Sequence, residues 1–253
     1  MNLNETVAVI TGGSSGIGEA CVREIVRSGG RAAILDLQEE KGQKVAEELG
    51  KGVLFVKTDV VSDESVKKAV DDTVRSFGTV NVAINCAGIG GPCKVLGKNG
   101  PMSTDFFNNR IQINLVGTMR VIIFAAQQMA KNNPNAEGER GVIINTSSVA
   151  AHQGQIGQAA YAASKGGING LMLPVAKELA RHGIRVMTIG PGVIDTPMFA
   201  NVPDKARQAL EASIPFPKRL GRPTEYAQLA AHIIQNPYLN AEVFHLTGGL
   251  RMA

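Results

Sequence analysis

A buried strand that runs without a break into a glycine-rich turn and then into an apolar-periodic helix leaves few folds open, and the first thirty residues of this chain have that pattern. Thr6-Val-Ala-Val-Ile-Thr11 has the length and β-branched content of an interior strand. It leads into Gly12-Gly13-Ser14-Ser15-Gly16-Ile17-Gly18. Glycines let the backbone turn tightly and admit a ligand that a Cβ would block, and the first turn of the following helix leaves N–H groups unbonded. Such a turn is a seat for a pyrophosphate. The spacing is Gly-x-x-x-Gly-x-Gly from Gly12, which differs from the Gly-x-Gly-x-x-Gly of the long dinucleotide fingerprint.

The following strand, Arg31-Ala-Ala-Ile-Leu-Asp36, ends in an acid about 20 residues on, the position from which a carboxylate reaches the ribose of a bound dinucleotide. Asp36 can accept from both ribose hydroxyls, and its charge repels a 2′-phosphate. No basic residue stands at Ser14, Ser15 or Leu37 to receive one. NAD is therefore expected rather than NADP; the alternative is that Asp36 is a turn residue at a strand end. Further strand patterns at Val53 to Thr58, Val80 to Asn85, Gly141 to Ser147, Ile184 to Ile189 and Glu242 to Leu246 alternate with helical stretches. Alternating β and α units imply an α/β fold with a single doubly wound parallel sheet of Rossmann type, helices on both faces and right-handed crossovers. Residues 1–253 show no repeat or interdomain linker, and one domain of this length is ordinary. Two polar excursions stand out: 90–103, which follows a strand's C-terminal end and can border a substrate, and 132–140, expected to be structural and far from the site.

Tyr161-Ala-Ala-Ser-Lys165 lies thirteen positions beyond Ser148. Residues four apart share one helix face, so a lysine ammonium can approach the phenol and favour phenolate. A phenol titrates near ~10, and bringing it to about 7 takes roughly 4 kcal/mol of preferential stabilisation. Tyrosine is then usable as a general acid/base. Alone, the spacing is that of any amphipathic helix.

Together these residues resemble the short-chain dehydrogenase/reductase family, along essentially the whole chain and in the family's order. Its glycine motif matches Gly12, Gly16 and Gly18, with Ser15 and Ile17 alongside, and its adenine-side acid matches Asp59, followed by Val60. The Asn-Asn-Ala-Gly element appears as Asn85-Cys86-Ala87-Gly88, a departure at Cys86. The catalytic tetrad corresponds to Asn114, Ser148, Tyr161 and Lys165, and the Pro-Gly turn with its downstream threonine to Pro191, Gly192 and Thr196. The segments 141–145, 154–158, Pro215-Phe-Pro217 and Leu250-Arg-Met252 are similar to the type II 3-hydroxyacyl-CoA dehydrogenases of that family.

The resemblance implies reversible hydride transfer between NAD and a secondary alcohol, with Tyr161 as acid/base and Ser148 on the reacting oxygen. It also implies that Lys165 lowers the phenol pKa and holds the nicotinamide ribose, Asn114 anchors a water leading to solvent, Gly88 lets the cofactor pass and Thr196 binds the nicotinamide amide. The substrate it implies is a 3-hydroxyacyl-CoA; a steroid, polyol or other secondary alcohol is the alternative, and a non-catalytic NAD-binding sensor or scaffold a further one. Residues 193–220, carrying Pro197, Pro203, Pro215 and Pro217, correspond to a substrate-binding flap with a short helix over 204–213. Phe199, Val202, Leu210, Ile214 and Phe216 can cover an acyl chain or form a buried stripe. Lys205, Arg207, Lys218, Arg219 and Arg222 can steer CoA phosphates or be solvated surface charge. Family precedent suggests a homotetramer joined by the helices around 105–131 and 161–181.

Charge and composition trim the remaining classes. A net charge of +4 without a concentrated basic motif argues against nucleic acid, and nothing approaches the apolar run of about 18 residues that a membrane span needs. Cys21, Cys86 and Cys93 are odd in number and form no Cys-x-x-Cys pair, so disulfides and zinc fit poorly and a reducing compartment fits well. Cys86 reads as a small buried hydrophobe. No His/Cys/carboxylate grouping has metal-ligand spacing. His152 is expected to face solvent near the pocket, and His182 and His245 have no evident context. The first strand begins so early that no leader is expected, which suggests the cytoplasm, or the mitochondrial matrix if a leader has been removed.

Overall fold

The computed structural model describes residues 1–98, 100–199, 202 and 204–252. Seven strands form one parallel sheet: β1 (Val7–Thr11), β2 (Arg31–Asp36), β3 (Val53–Lys57), β4 (Val82–Asn85), β7 (Gly141–Thr146), β8 (Ile184–Pro191) and β9 (Val243–Leu246). Their order is β3-β2-β1-β4-β7-β8-β9, so the chain winds one way from β1 and then the other. The reversal between β1 and β4 opens a crevice at the strands' C-terminal ends. Between β4 and β7 lies a small antiparallel hairpin, β5 (Leu96–Gly97) with β6 (Gly100–Pro101).

The interior strands are buried on both faces, and therefore read as continuous apolar runs. One face is covered by α1 (Gly16–Arg27) and α8 (Pro223–Gln235), which pack over Ile10, Ile84 and Ile144. α2 (Glu39–Leu49) adds Val45 to the same layer. The other face carries α3 (Asp63–Phe77), α5 (Gly117–Met129) and α6 (Ala159–Ala180) over Val9, Ala83 and Ile143. α3 begins where Ser62 Oγ accepts from Ser65 N at 3.2 Å and stops at Gly78, whose φ of +87° favours glycine. α4 (Thr104–Arg110) continues through a π-helical stretch, Ile111–Val116, into α5. Wider turns of this kind recur at functional sites, and this one holds Asn114.

Two excursions are more ordered than surface loops. In 132–140, Glu139 is buried and meets the Arg185 guanidinium at 2.7 Å, anchoring the far end of the sheet. The 90–103 segment is tied to the turn before α6, since Cys93 N donates to Gly157 O at 2.8 Å. In 193–220, α7 (Asp204–Ser213) lies where the sequence places a short helix. Residues 200, 201 and 203, the last of them Pro203, lie outside the described residues. The apolar residues of this segment divide: Ile214 is buried with Val193, Leu220 and Leu250, Phe199 and Leu210 pack against that cluster, and Phe216 is 81 % exposed.

Candidate active site

The glycine turn between β1 and α1 is built by close approach. Gly12 and Gly16 have φ of +66° and +56°. A Cβ on Gly18 would run into the Gly12 carbonyl, and one on Gly12 would sit 3.0 Å from Ala87 N. The result is a cavity of about 490 Å³ bordered by Gly12, Ser15, Gly16, Ile17 and Gly18 on one wall, and by Ala87 and Gly88 on the other. Asp36, Asp59, Val60 and Thr196 complete the rim where the sequence places them. Leu37, Gln38, Val61, Ile113 and Met198 also border it, and no motif singled them out. Asp36 accepts from Ser14 N at 3.1 Å and Gln38 N at 3.0 Å, one bond per oxygen. A carboxylate has about four acceptor positions, so both oxygens can still receive a ribose hydroxyl. The glycine seat and this half-buried acid together fit a dinucleotide without a 2′-phosphate.

A second cavity of about 90 Å³ is bordered by Ser148, Tyr161, Lys165, Pro191, Gly192 and Thr196. Ile17, Cys86, Gly88, Thr196 and Met198 line both spaces. Ser148 leaves the end of β7, and its Oγ accepts from Ala150 N at 3.1 Å, which fixes the rotamer. Tyr161 stands in the first turn of α6 and borders the same cavity as Ser148. Burial raises its phenol above the ordinary value, and the nearby Ser148 hydroxyl opposes the rise.

Lys165 departs from expectation. Its Nζ donates to Thr146 O at 2.7 Å and lies 5.8 Å from the Tyr161 ring centroid, so the β7 carbonyl takes the ammonium and the phenol is governed by burial. Burial also lowers the lysine to about 8, opposed by its electrostatic interaction with Cys86.

Asn114 is fully buried and borders neither cavity. It pairs with the backbone of Ile89, accepting from its N at 2.8 Å and donating to its O at 3.0 Å, and donates to Ser164 Oγ at 3.0 Å. It thus fastens the strip carrying Gly88, where a Cβ would lie 3.2 Å from Asn114 Oδ1. Asn85 is buried, donates to Asn145 Oδ1 at 2.9 Å and borders neither cavity. Thr146 and Ser147 were missed; Ser147 Oγ donates to Lys165 O at 3.0 Å.

The five cations near the flap are less free than the sequence suggests. Arg207 pairs with Asp195 at 2.9 Å and Glu211 at 3.3 Å, and Arg219 grips Glu225 at 2.6 and 3.0 Å. Arg219, with the Arg222 amide, holds Glu225 down to about 2. Lys205, Lys218 and Arg222 are exposed and form no ion pair among the described residues. His152 and His245 meet edge to face with ring centroids 5.8 Å apart, a contact that sequence order conceals.

The short chain dehydrogenase family model matches residues 6–207. The chain is 49 % identical over 248 residues to a Bos taurus protein named 3-hydroxyacyl-CoA dehydrogenase type-2, covering 97 % of this chain and 95 % of that one. A Drosophila melanogaster protein of the same name is 46 % identical, with 99 % of each covered. Among solved structures, 3-hydroxyacyl-CoA dehydrogenase type-2 from Mycobacterium avium superposes with a TM-score of 0.93 at 40 % identity, covering 98 % of this chain and 96 % of that one.

Proposed function

Since the chain belongs to the short chain dehydrogenase family, we propose that it is an NAD-dependent oxidoreductase that interconverts a 3-hydroxyacyl-CoA and the corresponding 3-ketoacyl-CoA. One observation carries this reading: Ser148, Tyr161 and Lys165 converge on a small cavity that shares Ile17, Gly88 and Thr196 with a dinucleotide-sized cleft. The named relatives support the substrate class.

When bound, NAD supplies the carbon that accepts or returns hydride. Ser148 donates to the reacting oxygen and steadies its developing charge. Tyr161 passes the proton. Because burial keeps its phenol protonated at neutral pH, it stands ready as the acid for ketone reduction, and oxidation is favoured as pH rises and the phenol ionises. Lys165 carries the positive charge of the site below its shifted value, at the wall of the smaller cavity. Asn114 holds Gly88 and Ile89 in place and so shapes the wall along which the nicotinamide passes. Asp36 selects the unphosphorylated ribose. Residues 193–220 act as the substrate flap, with exposed Phe216 available to the acyl chain. The chain forms a homotetramer through α4, α5 and α6, on which Phe107, Ile123 and Leu173 are exposed.

The test is NADH oxidation with acetoacetyl-CoA, for the wild type and for Tyr161→Phe. The wild type turns over, and the variant loses about 10² to 10⁴ in kcat with NADH affinity little changed, because the hydroxyl serves proton transfer rather than cofactor anchoring. No turnover of acetoacetyl-CoA by the wild type removes the substrate assignment. Near wild-type turnover by the variant removes the acid/base assignment.

A further inference from the structure

The strip 86–94, which carries Gly88 along the cofactor cleft, has no helix or strand of its own. Its ends are fixed by the scaffold: Cys86 N and Ala87 N donate to Thr11 Oγ1, each at 3.1 Å, and Cys93 N donates to Gly157 O at 2.8 Å. Between those ends Gly88, Gly90 and Gly91 have no side chain with which to pack. Among the described residues, the hydrogen bonds that hold this middle come from one helical segment. Asn114 takes both backbone groups of Ile89, and about one turn earlier Arg110 Nη2 donates to Gly90 O at 3.2 Å.

The two side chains act on different halves of the strip. Asn114 fixes the half that borders the cofactor cleft. Arg110 fixes the half that meets the flap: a Cβ on Gly91, whose φ is +102°, would lie 3.4 Å from the Arg110 guanidinium, and one on Gly90 would lie 3.6 Å from Met198 Sδ. Met198 belongs to the flap and borders both cavities. Gly90 and Met198 therefore mark the place where strip and flap come together.

Its own helix orients Arg110. The guanidinium carbon lies 3.4 Å from the centroid of the Phe106 ring, one turn back on α4, and stacking on that ring aims the planar group at the strip. Its Nε is buried without a partner among the described residues. An unmet buried donor costs stability, so the scaffold alone gives no reason to keep this cation.

We propose that Arg110 is a specificity-determining positioning residue: by fixing Gly90 it sets the gap between the strip and Met198, and so which acyl chains the site accepts. The proposal rests on the acyl-CoA reading of the substrate. A gap held narrow grips the short chain of acetoacetyl-CoA and obstructs a long one. Once Gly90 is released, the short chain loses contacts and the long chain gains room.

Arg110→Met keeps the stem and its contact with Phe106 but removes the donor. The ratio of kcat/KM for acetoacetyl-CoA to that for 3-ketodecanoyl-CoA is expected to fall about tenfold, the worth of one methylene's fit in an apolar pocket. The fall should come mainly from a raised KM for acetoacetyl-CoA, with NADH affinity unchanged, because Asn114 still holds the cofactor half. Met198→Ala opens the same gap from the flap side and should move the ratio the same way, and it serves if the Arg110 variant is poorly folded. An unchanged ratio in either variant, or an equal loss of kcat with both substrates at unchanged KM, overturns the proposal. Amide exchange of the cofactor-free proteins reads the strip without any substrate: the peptide over 87–95 should exchange faster in Arg110→Met than in the wild type while α4 stays protected, and equal exchange over 87–95 overturns the proposal. If the wild type turns over neither acyl-CoA, the substrate reading falls and takes the chain-length claim with it, whereas equal amide exchange sinks the hold of Arg110 on the strip alone.

Discussion

Replacing Lys165 with methionine should stabilise the fold at neutral pH while ending catalysis. Lys165 is 4 % exposed, and burial moves its amine from the ordinary 10.5 to about 8. With the folded value below the unfolded one, both states are protonated at neutral pH and folding carries the cost of desolvating the ammonium. At about 1.4 kcal/mol per tenfold change in proton affinity, that cost is roughly 3 kcal/mol. Losing the bond to the Thr146 carbonyl offsets about 1 kcal/mol of the gain, since one hydrogen bond is worth about that much net. Methionine keeps most of the stem's volume, so the net gain is about 2 kcal/mol, or about 4 to 8 °C in Tm for a chain of this size. The pH dependence gives the sharper check. As pH rises from about 8 toward 10.5 the folded state has released a proton that the unfolded state still holds, so wild-type stability climbs and the advantage of the variant vanishes. Urea unfolding of both cofactor-free proteins at equal concentration, at neutral pH and again near pH ~10, measures this directly. A variant less stable than wild type at neutral pH, or an advantage of equal size at both, would refute the reasoning.

Asp36→Ala should narrow the preference for NADH over NADPH by about 10- to 100-fold in kcat/KM, roughly 1.4 to 3 kcal/mol, and a wild type that favours NADPH would sink the assignment. Gly18→Ala should abolish cofactor binding, because the new Cβ meets the Gly12 carbonyl; calorimetric titration with NADH at wild-type affinity would show that the turn is looser than it looks. Salt should lower kcat/KM for acetoacetyl-CoA only through Lys205, Lys218 and Arg222, as the Debye length falls from about 10 Å at 0.1 M to about 3 Å at 1 M. Lys218→Glu should therefore lower catalytic efficiency with little effect on stability, whereas Arg219→Glu should destabilise the protein by breaking the pair with Glu225; equal kinetic effects from both would count against this division.

Much of the fold was legible because the decisive signals are local. Strand runs between two buried faces are continuous in sequence, and a glycine turn must sit between a strand and a helix to seat a phosphate. The last strand residues were harder: Thr58 and Ser147, read as strand, lie just past the ends of β3 and β7 and spend their hydroxyls on the carbonyls of Val56 and Lys165. Within the site, Gly12, Asp36, Ser148 and Tyr161 were readable from spacing, because each acts from a fixed point on its own element. Contacts across the fold were not. Nothing within the Tyr161–Lys165 turn shows that a carbonyl of β7 competes for the ammonium. Asn85 carries a cofactor-motif position yet spends its side chain on Asn145, one strand away. Arg207 looks free until α7 brings it beside Asp195.

Two buried cations in one molecule show how site and scaffold can be told apart. Arg185 and Lys165 are 6 % and 4 % exposed, yet their surroundings are opposite. Arg185 meets Glu139 at 2.7 Å and donates to the carbonyls of Ile233, Ile234 and Leu239, so its charge is paired and its donors are satisfied. A buried ion so completely compensated holds the far end of the sheet together. Lys165 has a single carbonyl, no carboxylate against it, and a proton affinity displaced downward by burial. Nothing in the scaffold requires a cation there, and an apolar side chain would fill the space at lower cost. The C-terminal edge of the sheet carries an in-register polar row, Thr11, Asn85, Asn145 and Thr188, directly above two apolar rows, Ile10 to Met187 and Val9 to Val186. Buried charge therefore enters this core at two ends: at the far end it is paired, and at the C-terminal edge a charge is kept at the expense of stability, which is where the chemistry belongs.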